Sequence, residues 1–112
     1  MSPDDVIRLR HMADAAESAL RFCQGRARAD LDTDDMLRFA LTRAVEIIGE
    51  AANKVSNETR TQTPGIAWPA IVGMRNRLVH AYFDVDSEIL WTTVRERLPS
   101  LLRDLNVILS KS

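Results

Sequence analysis

Residues 74–83 decide how this chain is organised, and they read Met-Arg-Asn-Arg-Leu-Val-His-Ala-Tyr-Phe. Arg75 and His80 lie five positions apart in this stretch, and Tyr82 follows two positions later. The stretch belongs to a longer segment that carries an apolar surface of its own. That surface consists of Trp68, Ile71, Val72, Met74, Leu78 and Val79. We therefore expect the other long segments to be helices that cover it.

Three other stretches have the periodicity of amphipathic helices, because their apolar residues recur at alternating steps of three and four. The first stripe is Val6, Leu9, Ala13, Ala16, Leu20 and Cys23; the second is Leu37, Leu41, Ala44, Ile48, Ala51 and Val55; the third is Leu90, Val94, Leu98, Leu101, Leu105 and Ile108. The expected N-terminal caps are, in the same order, Ser2, Asp32 or Thr33, and Asp84 or Asp86.

A further helix, the third in chain order, is predicted to begin at Trp68-Pro69, and Trp68, Val72, Arg75, Val79 and Tyr82 fall near one line of it. Residues 56–65 have no periodicity and are predicted to be a helix end and a loop. Pro99 interrupts the last helix, so a kink or short break is expected near Leu98. No strand is predicted. The sequence thus predicts an all-α, antiparallel four-to-five-helix bundle forming a single domain over residues 1–112.

The composition narrows the possible functions. Lys and Arg number 15 and Asp and Glu 16, so the net charge is −1 and no global basic field attracts nucleic acid. Any RNA contact must come from a local patch, and Arg95, Arg97 and Arg103 are candidate sources of positive potential. One cysteine and two histidines cannot make a structural zinc site, so no metal or other cofactor is predicted. No apolar run is long enough for a membrane span, and a cytoplasmic protein is expected.

The second predicted helix has features that its stripe does not explain. Gly49 in its middle costs roughly 1 kcal/mol relative to Ala, which suggests a close approach of another helix. Met36 and Phe39 extend its apolar coverage, so part of it is expected to face a second subunit. Glu46 and Glu50 lie one turn apart. They are either solvated charges or partners of an arginine at an interface or active site.

The central stretch resembles a known family. Arg75-Asn76, three residues, His80, one residue and Tyr82 form the signature of the HepT-like toxins of the HEPN superfamily. Three other blocks agree with that family in order and spacing. They are residues 46–52 (Glu-Ile-Ile-Gly-Glu-Ala-Ala), 67–69 (Ala-Trp-Pro) and 85–91 (Val-Asp-Ser-Glu-Ile-Leu-Trp). Together these blocks extend over roughly the C-terminal two-thirds of the chain.

The resemblance implies the toxin of a type VII (HEPN/MNT) toxin–antitoxin system. Such a protein is a metal-independent endoribonuclease that acts as a homodimer, with the Arg-x4-His elements of both copies facing a shared cleft. Arg75 and His80 are then the catalytic residues and Asn76 a supporting one. The family's antitoxin, a minimal nucleotidyltransferase, attaches AMP to the tyrosine that corresponds to Tyr82, which would block RNA phosphate by charge and bulk.

The chemistry of the two side chains agrees with that role. A histidine has an ordinary pKa near 6.5, so it can accept a proton from the 2′-hydroxyl of RNA and return one to the leaving oxygen. A guanidinium can hold two phosphate oxygens and stabilise their developing charge. Five residues of regular helix, however, rotate a side chain by roughly 140°. Either the helix ends near Val79, or two copies assemble the site.

Two other functions remain open at this level. The chain could be a non-catalytic subunit of a nucleotidyltransferase complex that binds nucleotide or presents Tyr82 to the transferase. It could also be a plain helical dimerisation module. His80→Ala abolishes RNA cleavage only under the ribonuclease hypothesis. AMP on Tyr82 is expected under the first two hypotheses and not under the third.

Overall fold

The computed structural model describes residues 1–81 and 84–111, and for Val79, His80, Ala81 and Asp84 it describes the backbone alone. Helices make up nearly all of the described chain. In order they are α1 (Pro3–Phe22), α2 (Asp30–Thr33), α3 (Asp35–Asn53), α4 (Asn57–Gln62), α5 (Trp68–Val72), α6 (Met74–Leu78), α7 (Ser87–Thr92) and α8 (Leu98–Ser110). Two very short strands, β1 (Val79–Ala81) and β2 (Asp84–Val85), lie between α6 and α7. The all-α prediction is confirmed.

Three long helical segments build the core. Helix α1 packs against α3 and α8, and α3 also contacts α5 and α6. The predicted stripes face inward as expected. Their fully buried members include Leu9, Ala16, Leu41, Ile48, Leu98 and Leu105. Burial of each such side chain contributes roughly 1.5–3 kcal/mol, so the three stripes supply most of the driving force for folding.

A buried carboxylate joins the beginning of α1 to the end of α3. Asp5 is only 4% exposed. It accepts hydrogen bonds from the Ser56 amide at 3.0 Å, the Ser56 hydroxyl at 2.6 Å and the Thr59 hydroxyl at 2.7 Å. These bonds lower the pKa of Asp5 to about 2, with the Ser56 hydroxyl as the largest cause. The contact also shows that α1 and α3 run antiparallel.

Several helix ends were predicted and others were not. Ser2 caps α1 and Asp86 caps α7, as expected. The cap of α3 is Asp34 rather than Asp32 or Thr33, because those two residues already lie at or near the end of the short α2. Residues 56–65 are not all loop. Ser56 accepts a bond from the Thr59 amide and so begins α4.

The last helical segment absorbs its proline without breaking. Thr93–Arg97 form a π-helical turn between α7 and α8, in which the Leu98 amide donates to the Thr93 carbonyl. Pro99 has no N–H to continue the α-helical pattern, and the wider turn just before it accommodates that loss. The expected irregularity near Leu98 therefore takes the form of a local widening.

The helix predicted to begin at Trp68 is interrupted and ends near Val79, which is one of the two alternatives considered for the motif. Gly73 separates α5 from α6, and α6 ends at Leu78, so the chain does not continue as a helix to Tyr82. Val79 pairs with Val85 in an antiparallel hairpin that the sequence did not predict. Three-residue strands leave too short a period-two pattern to recognise in a sequence. Tyr82 itself lies outside the described residues.

Gly49 allows α3 and α5 to approach closely, as predicted. A Cβ at this position would lie 3.4 Å from the Val72 carbonyl oxygen and 3.7 Å from that of Ile71. An alanine methyl fits that space and favours the helix, so Gly49→Ala should change the free energy of unfolding by no more than about 1 kcal/mol, toward greater stability. Gly49→Leu should lower it by about 1–3 kcal/mol through overpacking. Urea unfolding measures both, and equal stability of the two variants would refute the close approach.

Candidate functional site

The central motif spans a change from helix to strand. Arg75 and Asn76 lie on α6, and the helix ends at Leu78 before the backbone of His80 enters β1. The Asp86 amide donates to the Leu78 carbonyl at 2.7 Å and so closes the base of the hairpin. A regular helix would have turned Arg75 and His80 away from each other. The helix ends between them, so the first of the two alternatives is present within one chain. His80 is not constrained by the 100° step of a helix.

Arg75 is exposed and has one described partner. Its Nε donates to Oε2 of Glu46 at 3.4 Å, with 51% of the Arg75 side chain and 28% of the Glu46 side chain exposed. The two terminal guanidinium nitrogens make no hydrogen bond with any described residue. Since a single ion pair at this exposure is worth at most about 1 kcal/mol, the contact orients Arg75 more than it stabilises the fold.

Glu46 pairs with Arg75 of the motif, which confirms the alternative that one of the two glutamates of α3 is the partner of an arginine. Glu50, one turn further, pairs instead with Arg43 at 3.3 Å, and both of those side chains are mostly exposed. The close approach at Gly49 is what places Glu46 within reach of Arg75, because it sets the separation of α3 from α5 and α6. The sequence indicated a partner but could not say which glutamate it is.

A shallow pocket of about 230 Å³ surrounds this ion pair. Arg75 and Asn76 line it on the α6 side, and Val72 closes it from α5. Its α3 side is formed by Glu46, Gly49, Glu50 and Asn53. Asn53 carries no signal in the sequence that would have assigned it to this site. The pocket holds one cationic and two anionic side chains, and two donor nitrogens of the cation have no partner among the described residues.

The structure brings together part of the predicted set. It places Arg75 and the supporting residue Asn76 on one pocket. The side chain of His80 and the whole of Tyr82 lie outside the described residues, so their distances from Arg75 stay a prediction.

Two further features bear on the chemistry. Among the described side chains, no three His, Cys, Asp or Glu residues cluster in a way that could hold a metal ion. Within the same part of the chain, no helix is long and apolar enough to cross a membrane.

The predominantly helical fold, with an exposed arginine on a short helix and a histidine where that helix has ended, agrees with the class of HEPN-like domains. The chain belongs to the ribonuclease HepT-like family, whose model matches residues 12–108. The family prediction is therefore confirmed.

Relatives of known name agree with this assignment. A protein of Thermococcus cleftensis named "probable ribonuclease HepT" is 41% identical over 93 residues, which cover 83% of this chain and 84% of the relative. A Methanocaldococcus jannaschii protein named as a "putative RNase" is 32% identical over 89% of this chain and 92% of its own length. A third, from Caldanaerobacter subterraneus and named in the same way, is 34% identical over 92% of each chain. No solved structure matches the chain significantly. These relatives support ribonuclease as the general class of activity.

Proposed function

We propose that this chain is a metal-independent endoribonuclease and the toxin of a HEPN/MNT toxin–antitoxin pair. The observation that carries the proposal is the state of Arg75. It is exposed, it is oriented through Nε by Glu46, and neither of its terminal nitrogens bonds a described residue. End-on binding through two terminal nitrogens matches two non-bridging oxygens of a phosphodiester.

Cleavage then uses the 2′-hydroxyl of the substrate as the nucleophile. Arg75 holds the phosphate and stabilises the negative charge that builds on its oxygens. His80 accepts the 2′-hydroxyl proton as the new P–O bond forms, and it donates a proton to the 5′-oxygen as the old P–O bond breaks. Asn76, which is exposed beside Arg75, supports the phosphate by hydrogen bonding. The products are a 2′,3′-cyclic phosphate and a 5′-hydroxyl.

A homodimer is part of the proposal. Met36 is 83% exposed, Phe39 64% and Phe22 40%, and they lie along α1 and α3 together with a groove that contains Ile47 and Ala40. Exposed apolar side chains that are grouped in this way are typical of an interface. The Arg43–Glu50 pair connects this face to the Arg75 pocket. A second copy seated here would border the site. Sedimentation showing a monomer at micromolar concentration would contradict this part.

The partner and its effect follow from the family. We propose that a minimal nucleotidyltransferase attaches AMP to Tyr82, which lies two residues from His80 in the sequence. The added phosphate is anionic, so it would compete with RNA for Arg75 and occupy the approach to His80. A cytoplasmic location fits this pairing and remains a prediction.

Incubation of the purified protein with RNA in the presence of EDTA tests the activity. Cleavage at an undiminished rate is expected, because no step requires a metal ion. Cleavage that appears only on addition of Mg²⁺ would contradict the mechanism.

A second candidate function is a non-catalytic subunit that presents Tyr82 to the transferase. It is supported by the same surface, because a nucleotide also carries phosphate for Arg75. Mass spectrometry after coexpression with the transferase should show AMP on Tyr82 under both functions. Cleavage of RNA by the unmodified chain is expected only if it is a ribonuclease, so this measurement distinguishes the two functions. Tyr82 that stays unmodified after coexpression would contradict the proposed role of the transferase in both.

A further inference from the structure

A second concave site lies on the other side of α6. It is a pocket of about 270 Å³ between α6, α7 and the π-helical turn. Arg77 lines it from α6 and Arg97 from the end of the π-helical turn. Two residues along a helix differ by roughly 200°, so Arg75 and Arg77 point to opposite sides of α6. The pocket is therefore separate from the one that holds Arg75 and Glu46.

Positive charge predominates in this pocket. Arg77 and Arg97 are both exposed, and neither guanidinium forms an ion pair or a hydrogen bond with a described residue. Glu88 is the one acidic residue in the lining, and its carboxylate is engaged by Nε of Arg28 at 2.8 Å. In a chain with a net charge of −1, two guanidiniums that have no described partner and face one concavity make a local anion site.

The hydroxyl of Thr93 is a further donor at this pocket. Thr93 is 6% exposed and lines the pocket, and its hydroxyl makes no hydrogen bond with another described residue. Since no buried side-chain oxygen or nitrogen of the described residues lacks a partner, this hydroxyl is open to solvent through the pocket. It is therefore a donor available to a ligand there.

We propose that Arg77, Arg97 and Thr93 form a subsite for a further phosphate of the RNA strand, on the side of α6 opposite the phosphate that is cleaved. A guanidinium only donates hydrogen bonds and a hydroxyl can donate one, and a phosphodiester offers acceptor oxygens to all three groups. Asn76 is exposed on α6 between Arg75 and Arg77. A strand that passes around this edge of α6 places one phosphate on Arg75 and a phosphate further along the strand in the subsite. The assignment of Arg75 rests on the proposed function.

Binding of an uncleavable strand tests the subsite without relying on activity. A single-stranded RNA with 2′-O-methyl groups throughout lacks the nucleophile, and fluorescence anisotropy gives its affinity as a function of salt. The logarithm of the association constant falls linearly with the logarithm of the salt concentration. Loss of one phosphate contact reduces the magnitude of this slope by about 0.7 for a single strand. Arg77→Gln and Arg97→Gln should each lower the slope by about that much, and the double variant by about 1.4.

Matched variants separate the subsite from general charge. Arg10→Gln removes the same charge from an exposed position of α1 outside this pocket, and its slope should stay that of the wild type. Thr93→Val keeps the shape and removes the hydroxyl, and it should weaken binding several-fold with an unchanged slope. Equal slopes for the wild type and the double variant would overturn the proposal, as would an equal loss in Arg10→Gln.

Free nucleotide is the other source of the same chemistry. ATP should compete with the RNA only weakly, because its short phosphate chain cannot reach from the subsite to Arg75 on the opposite side of α6. If ATP binding depends on Arg77 and Arg97 while RNA binding does not, the assignment to an RNA strand is wrong. If RNA binding depends on them and the wild type cleaves nothing, the ribonuclease proposal fails and the subsite remains.

Discussion

Arg75→Ala is expected to slow RNA cleavage about 100- to 1,000-fold, the usual loss when one donor to a developing oxyanion is removed. The fold should remain intact, because Arg75 is half exposed and its ion pair with Glu46 contributes at most about 1 kcal/mol. Arg75→Lys keeps the charge and loses the pair of parallel donors, so it should recover only part of the rate. The rate constants are measured on a labelled RNA at saturating protein.

The control for this prediction is Arg10→Ala. Arg10 is exposed on α1 and lines neither the Arg75 pocket nor the Arg77 pocket, so the variant loses the same charge and should cleave at the wild-type rate. His80→Ala should lose about 100- to 10,000-fold, the range for a missing general acid and base. An Arg75→Ala protein that cleaves like Arg10→Ala would remove Arg75 from the mechanism.

Asp5→Ala is expected to lower the free energy of unfolding by about 3 kcal/mol, since hydrogen bonds to a charged group are worth about 1.5–3 kcal/mol each and the buried donors are left without a partner. The Ser56 and Thr59 hydroxyls and the Ser56 amide all lose their acceptor. Glu17→Ala on an exposed position of the same helix is the control and should change stability little. Urea unfolding at neutral pH gives both values.

The same carboxylate makes stability depend on pH in a defined range. The folded pKa of Asp5 is about 2, below its ordinary value of 3.8, so the unfolded chain takes up the proton first as the pH falls. The stabilisation is complete above the ordinary value and is lost between about pH 4 and pH 2. About 2 kcal/mol is expected to disappear there. The difference in stability between the wild type and Asp5→Asn should shrink by that amount over this range, and a constant difference would contradict the shifted pKa.

Periodic features of the fold were predictable from the sequence, and irregular ones were not. The stripes that end in Ile108 and Val55 repeat over several turns, so their faces and burial could be assigned from spacing alone. The break at Gly73 and the turn into β1 depend on the packing of a short segment against α3, and no local residue pattern records that. Because Trp68, Val72 and Val79 fit one helical line, the sequence left open whether the helix continues past Val79.

The candidate site, like the fold, was predictable only in part. The spacing of Arg75, Asn76 and His80 identified the motif, and the mid-helix Gly49 correctly indicated a close contact. The choice of Glu46 over Glu50 as the partner of Arg75 required the separation and rotation of two helices, which are tertiary quantities. Thr93 lines the second pocket from the π-helical turn, which is an irregular element. Pro99 predicts an irregularity but not which side chains it exposes.

The central claim is that Arg75 and His80 cleave RNA through its own 2′-hydroxyl without a metal ion. The most direct test is to identify the chemical groups at the ends of the cleaved RNA. RNA cut by the purified protein in EDTA should carry 2′,3′-cyclic phosphate and 5′-hydroxyl ends, as identified by mass spectrometry of the fragments. A 5′-phosphate with a free 3′-hydroxyl would show that water is the nucleophile, and it would contradict the account.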